Sequence, residues 1–306
     1  MIRAGLALLA LAGPAAADVA FVTSQNAGVI SRVETATGVV LSQTAMPGDP
    51  AGVAVAPDGG AYVVTPEGKG LHRLDATGAE VAQTALPGGP FGVAVNPVRG
   101  VVYVGDWYAT RVFEIDAATL AIRREFAVGH SPSGIAVAPG GAWLASADRD
   151  SDRVSLIDAA SGAVRAVPVG QRPFGVTIHA GRVYSADVGS DQVSVIDPEA
   201  GRVIATIPTG KRPYAVAFAA GRGFVTNQYA DSVTVFDAAT HAVIATLDVG
   251  EYPEGIAADS AGRVIVANWM SSELTLIDPL ALRVTGSRAM PDGPRAFGDF
   301  IAPGRE

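Results

Sequence analysis

Few side chains in this sequence could serve as nucleophiles, acids, bases or metal ligands. The absence of cysteine excludes disulfides, thiolate zinc sites, cysteine nucleophiles, iron–sulfur clusters and covalently attached c-type haem. The four histidines lie far apart, without metal-ligand spacing, at His72, His130, His179 and His241. No G-x-S-x-G elbow, Walker A loop or G-x-G-x-x-G followed by a helix is present. The sequence therefore predicts no catalytic residue, no metal site and no cofactor, and it favours a protein that is not an enzyme.

Five polar residues recur at one position of a repeated pattern: Asp106, Asp148, Asp187, Asn227 and Asn268. Their oxygens could surround the mouth of a channel and bind Ca²⁺. Alternatively, they cap the turns that follow these positions through side-chain hydrogen bonds, as Asp and Asn commonly do. The capping interpretation is the one we favour.

Aromatic and basic residues are concentrated in predicted loops, which usually hold polar residues. This enrichment indicates a contact surface. The selected binding residues are Trp107, Tyr108, Arg172, Phe174, Arg212, Tyr214, Asn227, Tyr229, Tyr252, Asn268 and Trp269. We expect Trp107, Tyr108, Tyr229, Tyr252 and Trp269 to be the anchors. Phe91, Phe174 and Tyr214 each follow a proline, and the alternative for them is to fill the gap between neighbouring repeats.

A small basic patch is expected from Arg172, Lys211 and Arg212, which occupy equivalent positions in adjacent repeats. Such a patch could receive an anion or the carboxylates of a partner. The formal net charge of the whole chain is −8, which argues against nucleic acid as the partner.

These loops recur because one sequence motif is repeated seven times along the chain. A Gly-rich turn with a proline precedes a short run in which small and large apolar residues alternate, and the prolines are 40 to 42 residues apart, at Pro50, Pro90, Pro132, Pro173, Pro213, Pro253 and Pro294. Each period holds four short segments rich in Val, Ile and Tyr, and no segment has a sustained helical period. This pattern predicts an all-β fold, a seven-bladed β-propeller of four-stranded antiparallel blades.

The strands of a blade are called A to D from the axis outward. The B–C loops and D–A connections then share one end of the ring, here called the loop face, and the A–B and C–D turns share the other end, the turn face. Residues 18–49 supply only three strands, so the strand near residues 297–302 should complete the N-terminal blade and close the ring. The final segment RAFGDFIAP is two residues longer than its counterparts, so its register should be irregular.

Residues 1–17 have the three parts of a secretory signal peptide: Arg3, a short apolar run, and Ala15 to Ala17 before the expected cleavage at Asp18. The apolar run is too short to span a membrane, and no second run of spanning length follows. We expect residues 18–306 to form a single propeller domain that is exported to the periplasm.

The segments FVTNQYADSVTVFDAAT and VIVANWMSSELTLID resemble the YVTN-type β-propeller repeat family, and Phe224 to Asn227 is the best copy of its motif. The resemblance covers residues 18–306. It implies the propeller fold and an exported bacterial protein, and it implies a binding platform more than a reaction. Similar propellers occur in surface layers, in periplasmic quinone- or amine-oxidising systems, and in a DNA-binding periplasmic example.

The function expected from the sequence is a monomeric, non-catalytic platform that binds a protein or a small ligand on its loop face. One alternative, suggested by the resemblance, is an accessory component of a periplasmic quinone- or haem-linked redox system. Another is a propeller lyase or hydrolase that uses His130 with neighbouring carboxylates.

Overall fold

The computed structural model describes residues 17–304, so the expected signal peptide lies outside the described residues except for its last position. The described residues form 29 β-strands and one short 3₁₀ helix, Arg149–Ser151. The strands are arranged in seven sheets, and the predicted seven-bladed β-propeller of four-stranded antiparallel blades is confirmed. No helix in this range is long and apolar enough to cross a membrane.

The strands are numbered along the chain. Blade 1 contains β1 (Val19–Ser24), β2 (Val29–Glu34) and β3 (Val40–Ala45), and blade 2 contains β4 (Gly52–Val55), β5 (Ala61–Thr65), β6 (Gly70–Leu74) and β7 (Glu80–Ala85). Blade 3 contains β8 (Pro90–Asn96), β9 (Val101–Asp106), β10 (Arg111–Asp116) and β11 (Ile122–Ala127), and blade 4 contains β12 (Pro132–Val137), β13 (Trp143–Asp148), β14 (Arg153–Asp158) and β15 (Val164–Pro168). Blade 5 contains β16 (Pro173–His179), β17 (Arg182–Asp187), β18 (Gln192–Asp197) and β19 (Arg202–Pro208), and blade 6 contains β20 (Pro213–Ala219), β21 (Arg222–Asn227), β22 (Ser232–Asp237) and β23 (Val243–Asp248). Blade 7 contains β24 (Pro253–Ala258), β25 (Val264–Asn268), β26 (Glu273–Asp278) and β27 (Arg283–Ala289), and the chain continues with β28 (Phe297–Asp299) and β29 (Ile301–Ala302).

The C-terminal segment closes the ring, as predicted, but it is divided between two blades. β29 pairs antiparallel with β1 and so takes the innermost place of blade 1. β28 pairs parallel with β4 of blade 2, with Gly298 opposite Val53. The backbone N–H of Arg295 donates to the carbonyl of Thr23 at 2.7 Å, and the N–H of Phe21 donates to the carbonyl of Phe300 at 2.8 Å. The residues between these bonds leave the blade 1 sheet, and this explains the irregular length of the segment.

The innermost strands pack so closely that five of them need a glycine two residues after the proline. A Cβ at Gly92 would lie 1.8 Å from the carbonyl oxygen of Ser133, and one at Gly175 would lie 2.3 Å from that of Tyr214. Neither oxygen can move without breaking the next blade, because each belongs to a strand backbone. The Pro-x-Gly motif is therefore a requirement of blade packing around a narrow axis.

The recurring Asp and Asn residues at the ends of the B strands are fully buried and hydrogen-bonded within their own blades. The Asp148 carboxylate accepts bonds from the N–H of Gly129 at 2.7 Å and from the hydroxyl of Ser155 at 2.6 Å. Asn227 accepts from the N–H of Gly210 at 3.1 Å and donates to Thr234 at 2.9 Å. Asp106, Asp187 and Asn268 make corresponding bonds. These bonds confirm the capping interpretation. The Ca²⁺ hypothesis was wrong in its geometry, because all five side chains are fully buried instead of lying at a channel mouth, and their oxygens, except Asn268 Oδ1, accept hydrogen bonds within the protein.

Candidate functional site

The residue that follows each blade's proline lies at the loop-face end of an innermost strand, so seven such residues surround the axis. In blade order they are Arg295, Ala51, Phe91, Ser133, Phe174, Tyr214 and Glu254. Because the backbone repeats, these positions are geometrically equivalent, but their side chains are all different in chemistry except for two phenylalanines. The blades therefore differ from one another in side-chain chemistry at this ring of positions, although their backbones are alike.

Five aromatic side chains close the axis at this end, and we call them the aromatic plug: Phe91, Trp107, Phe174, Tyr214 and Phe297. The Phe297 ring lies 5.5 Å from that of Phe91, 5.2 Å from that of Phe174 and 5.4 Å from that of Tyr214. Phe174 and Tyr214 are 4.3 Å apart and both are buried. Three of the predicted binding residues, Trp107, Phe174 and Tyr214, thus belong to the plug. Phe174 and Tyr214 are internal packing, which is the alternative expected for them, and Phe297 joins them because β28 leaves blade 1.

A buried ion pair completes the ring beside the plug. The Arg295 guanidinium donates to the Glu254 carboxylate at 2.5 and 3.1 Å, and the Gln228 amide donates to the same carboxylate at 2.7 Å. Burial alone would lower the pKa of Arg295, but the adjacent Glu254 carboxylate raises it well above the ordinary value. Arg295 also lies 5.7 Å from the centre of the Phe91 ring. The pair therefore ties blade 7 to the closing segment of blade 1.

A second aromatic group lies on the loop face, across blades 6 and 7. We call it the loop-face stack: Arg212, Tyr229, Tyr252 and Trp269. The Arg212 guanidinium lies 4.3 Å from the centre of the Tyr229 ring, Tyr229 is 5.1 Å from Tyr252, and Tyr252 is 5.9 Å from Trp269. Burial and the neighbouring Tyr229 hydroxyl raise the pKa of Tyr252 to about 12. The structure thus brings four of the eleven predicted residues into one continuous group.

The remaining predicted residues lie apart from the loop-face stack. Trp107 is half-buried against Phe91 of the plug at 5.0 Å, under the Arg149 guanidinium, whereas Tyr108 next to it is 73% exposed. Arg172 is exposed, and its backbone N–H donates to the Asp152 carboxylate at 2.8 Å. Asn227 and Asn268 are the buried residues of the hydrogen-bond networks described above.

The axis encloses a cavity of about 650 Å³ below the plug. Its lining begins at Phe297 and is formed by the inner strands of blades 2 to 7 and by β28, and it reaches the turn face at Pro57, Gly59, Pro97 and Pro303. Alanine, valine, isoleucine and glycine supply almost all of the wall. The hydroxyl of Thr177, a polar exception, donates to the carbonyl of Val216 at 2.8 Å. The side chains of the cavity wall are therefore mostly apolar, backbone groups of the inner strands add polar surface to it, and the plug closes the cavity at the loop face.

Asp299 is the one ionisable side chain among the described residues that line this cavity. It is accessible to solvent in the chamber, yet protein surrounds it, and burial raises its pKa to about 6. Sequence reasoning did not select Asp299. The signal that could have found it is the two-residue excess of RAFGDFIAP over its counterparts, because the extra length displaces this carboxylate from the wall of blade 1.

A histidine network in blade 2 has the bonding order of a catalytic triad but cannot meet a substrate. His72 Nε2 is 3.1 Å from the Thr65 hydroxyl, and His72 Nδ1 is 2.9 Å from Glu80. Thr65 is fully buried and lies at the end of the B strand, where Asp148 and Asn227 lie in their blades. The Thr65–His72–Glu80 bonds therefore take the place in blade 2 of the Asp and Asn capping bonds of the other blades. Within residues 17–304, no group of three or more acidic, histidine or cysteine side chains could hold a metal ion.

Comparison with known proteins gives the fold and nothing finer. No family model matches the chain, and no curated protein sequence matches it significantly. A functionally unknown protein from Desulfotomaculum acetoxidans is similar in structure, with a TM-score of 0.80 and 15% identity over 94% of this chain and 100% of that one.

Two similar structures come from proteins with named activities. Hydrazine synthase from Kuenenia stuttgartiensis has a TM-score of 0.73 and 19% identity over 83% of this chain and 90% of the matched chain. A streptogramin B lyase has a TM-score of 0.71 and 16% identity over 84% and 92% of the two chains. At these identities the likeness establishes a shared β-propeller architecture, on which unrelated functions are found.

Proposed function

We propose that this protein is an exported, non-catalytic propeller that binds a protein partner through the loop-face stack. The proposal includes cleavage of the signal peptide before Asp18, a single mature domain, and a place among the YVTN-type repeat proteins of the periplasm. The observation that carries it is the stack itself, an aromatic group with an arginine at one end that spans two blades on one face.

The stack has the composition of a binding hot spot. Tyrosine, tryptophan and arginine are enriched where protein interfaces concentrate their binding energy. Tyr229 is 49% exposed, and Met270, next to Trp269, is 56% exposed. The tyrosine rings are already packed against each other, so a partner that covers them does not have to order them first.

The charges beside the stack indicate the chemistry of the partner. Arg172, Lys211 and Arg212 lie on the D–A connections of blades 5 and 6, and none of them forms an ion pair with a residue in 17–304. The chain as a whole is acidic. The Asp152 and Asp191 carboxylates accept from the backbone N–H groups of Arg172 and Arg212, but the guanidinium groups of these arginines do not pair with them. The partner is therefore a protein segment with an apolar or aromatic side chain for the stack and carboxylates for the three cations.

Site-specific photocrosslinking in the native host tests this proposal. A photoreactive phenylalanine analogue replaces Tyr229 on the loop face, and in the matched control it replaces Val98, which is 69% exposed on the turn face. The expected result is one defined protein adduct at position 229 and none at position 98. Equal adducts at both positions, or none at position 229, would contradict the proposal.

The captured partner then provides a quantitative test. In purified form its affinity is measured against wild type, Tyr252→Ala and the control Leu280→Ala on the turn face. Loss of a central aromatic anchor costs about 2 kcal/mol, so Tyr252→Ala should weaken binding roughly 30-fold, and Leu280→Ala should have no effect. Binding should also weaken as salt rises, because Arg172 and Lys211 are exposed and Arg212 is half-buried. An affinity that is insensitive to Tyr252→Ala would place the interface elsewhere.

The alternative role in a redox system stays a prediction, because no contact among the described residues bears on it. For the lyase hypothesis, His130 is exposed on the loop face, and its backbone N–H donates to the Ser151 hydroxyl at 2.9 Å. No hydrogen bond joins its imidazole to a carboxylate of residues 17–304, so no observation favours this hypothesis over the binding platform.

A further inference from the structure

We infer that the axial cavity is a binding site for a small organic ammonium ion, with Asp299 as the charged contact and the inner strands as the apolar wall. This inference is independent of the proposed loop-face interface, because the plug separates the cavity from that face.

The first argument is the size and form of the cavity. Ligand pockets for small molecules are typically about 300–1,000 Å³, mostly apolar, with a few polar groups that fix orientation. The axial cavity of about 650 Å³ lies within this range and reaches the turn face at residues with exposed surface, such as Pro97 and Pro303. A ligand would therefore enter from the turn face and meet the plug residue Phe297 at the far end.

The second argument is the carboxylate. Asp299 forms no hydrogen bond or ion pair with any described residue, although nearly every other enclosed carboxylate is bonded, as Asp148 and Glu254 are. Solvent reaches Asp299 through the cavity, but the surrounding protein still disfavours the ionised carboxylate, and no described partner offsets this cost. An ammonium group that donates to it would remove this cost, and a charge-assisted bond in such a site is strong.

The third argument concerns which cation fits. A divalent metal ion is usually held by several carboxylates together with carbonyl oxygens, whereas the described lining contains one carboxylate and the described residues contain no group of three or more metal-binding side chains. A cation with an aliphatic body can place its charge at Asp299 and its carbon chain against side chains such as Val95, Val137 and Ile178, all of which line the cavity. The arrangement therefore selects an alkylammonium over a bare metal ion.

Asp299 is held in place by the backbone of the closing segment. Gly298 has a φ of +120°, and a Cβ there would lie 2.4 Å from the carbonyl oxygen of Val53. This conformation belongs to glycine, and it allows β28 to pair with β4 while Phe297 enters the plug. The carboxylate therefore belongs to a rigid element and not to a loose tail.

Calorimetric titration with n-hexylammonium and with 1-hexanol tests the inference. The two probes have the same carbon chain, and only the first carries a positive charge. At pH 7.5 wild type should bind hexylammonium at least tenfold more tightly than hexanol, because a charge-assisted bond is worth about one to two orders of magnitude. Equal affinities, or binding of hexanol alone, would overturn the inference by showing a purely apolar cavity.

Variants locate the bound charge. Asp299→Asn should weaken hexylammonium binding at least tenfold and leave hexanol binding unchanged, whereas the control Glu199→Gln, an exposed carboxyl on the turn face, should change neither. Arg305→Ala removes the cationic side chain that follows Gly304 in the sequence and should bind as wild type does. Binding that requires Arg305→Ala would overturn the inference, because the protein's own side chain would then occupy the site.

A pH titration of wild type gives a test that needs no Asp299 variant. Hexylammonium affinity should rise as Asp299 ionises near pH 6. The lining contains no other titratable group among residues 17–304, but His179 stacks on the lining residue Phe218 with ring centres 3.9 Å apart, and burial lowers its pKa. His179→Gln should therefore leave the pH profile unchanged. A flat profile in wild type, or one that disappears in His179→Gln, would contradict the assignment to Asp299.

Discussion

Replacement of Asp299 by asparagine should stabilise the protein at neutral and alkaline pH and leave its stability unchanged in acid. Asparagine has nearly the shape of the protonated carboxyl, so the substitution removes the charge and little else. The native carboxyl has a pKa raised from 3.8 to about 6 by burial. The unfolded chain thus ionises at lower pH than the native protein does, and wild type loses stability as the pH rises through this interval.

The size of the effect follows from the same values. The shift corresponds to about 3 kcal/mol for a carboxyl that is shut off from solvent. Because solvent reaches Asp299 in the cavity, screening should reduce the penalty to about half of that. Asp299→Asn should therefore raise the free energy of unfolding by about 1–2 kcal/mol at pH 8. Below about pH 3, where both states hold the proton, the two proteins should be equally stable, and at pH 4 only a small part of the difference should remain.

Urea unfolding measured at pH 4, 5, 6, 7 and 8 without ligand provides the assay. The stability difference between Asp299→Asn and wild type isolates this one carboxyl, because all other titrating groups are common to both. Glu199→Gln is the matched control and should show no pH-dependent difference. A difference that is the same at pH 4 and pH 8 would refute the reasoning, because it means that the carboxyl has the same pKa in the native and unfolded states. A variant that is less stable than wild type at pH 8 would also refute it, because the ionised carboxylate would then have a favourable partner.

Two further predictions concern the packing that holds the cavity and the plug. Gly175→Ala should lower the free energy of unfolding by about 1–3 kcal/mol, because the added methyl group overpacks the space between two blades. The control Gly286→Ala, on an outer strand, should change it little. Equal effects of the two variants in urea unfolding would contradict the close approach of the inner strands. Glu254→Gln should cost about 3–5 kcal/mol because it leaves the buried Arg295 guanidinium without its counter-charge. Adding Arg295→Met to Glu254→Gln should restore much of that stability, and a double variant no more stable than the single one would show that the pair is not coupled.

The fold could be predicted from the sequence because the same sequence pattern occurs in each blade and each copy indicates the same four-stranded unit. Seven prolines at spacings of 40 to 42 residues and the alternation after each one specify a repeated four-stranded unit, and an N-terminal unit with a missing strand implies closure by the C-terminus. Local pattern is sufficient here, since every strand pairs with its neighbour in the chain except at the closure.

The last strand could not be placed from the sequence because its neighbours determine its path. Gly298 permits a φ of +120°, but a glycine alone does not indicate whether a segment bulges, pairs with the next blade or ends the sheet. The parallel pairing of β28 with β4 depends on Phe297 finding space among aromatic rings from three other blades. Such contacts join residues more than 80 positions apart and leave no local signature.

The sequence predicted on which face of the propeller the candidate residues lie, but it did not predict which of them are buried. Tyr229, Tyr252 and Trp269 were assigned to the loop face from strand order, and the structure shows that their rings form a stack. Phe174 and Tyr214 belong to the same set of connections, yet they point to the axis and are buried. The difference arises because residues directly after the proline begin the innermost strand, where the converging blades leave no solvent.

The departures from the repeat, more than the repeat itself, account for the chemistry that this propeller can offer. Where the blades are alike they form a wall of alanine, valine and glycine, and such a wall can bind nothing specifically. The unlike residues at the ring position supply the plug and the Glu254–Arg295 pair, and these close one end of the axis. The two-residue excess in the closing segment then adds Phe297 to the plug and Asp299 to the chamber below it. The ring thereby acquires a closed end, an open end and, among the described residues of its lining, one ionisable side chain. These are the features that a selective site for a small cation requires.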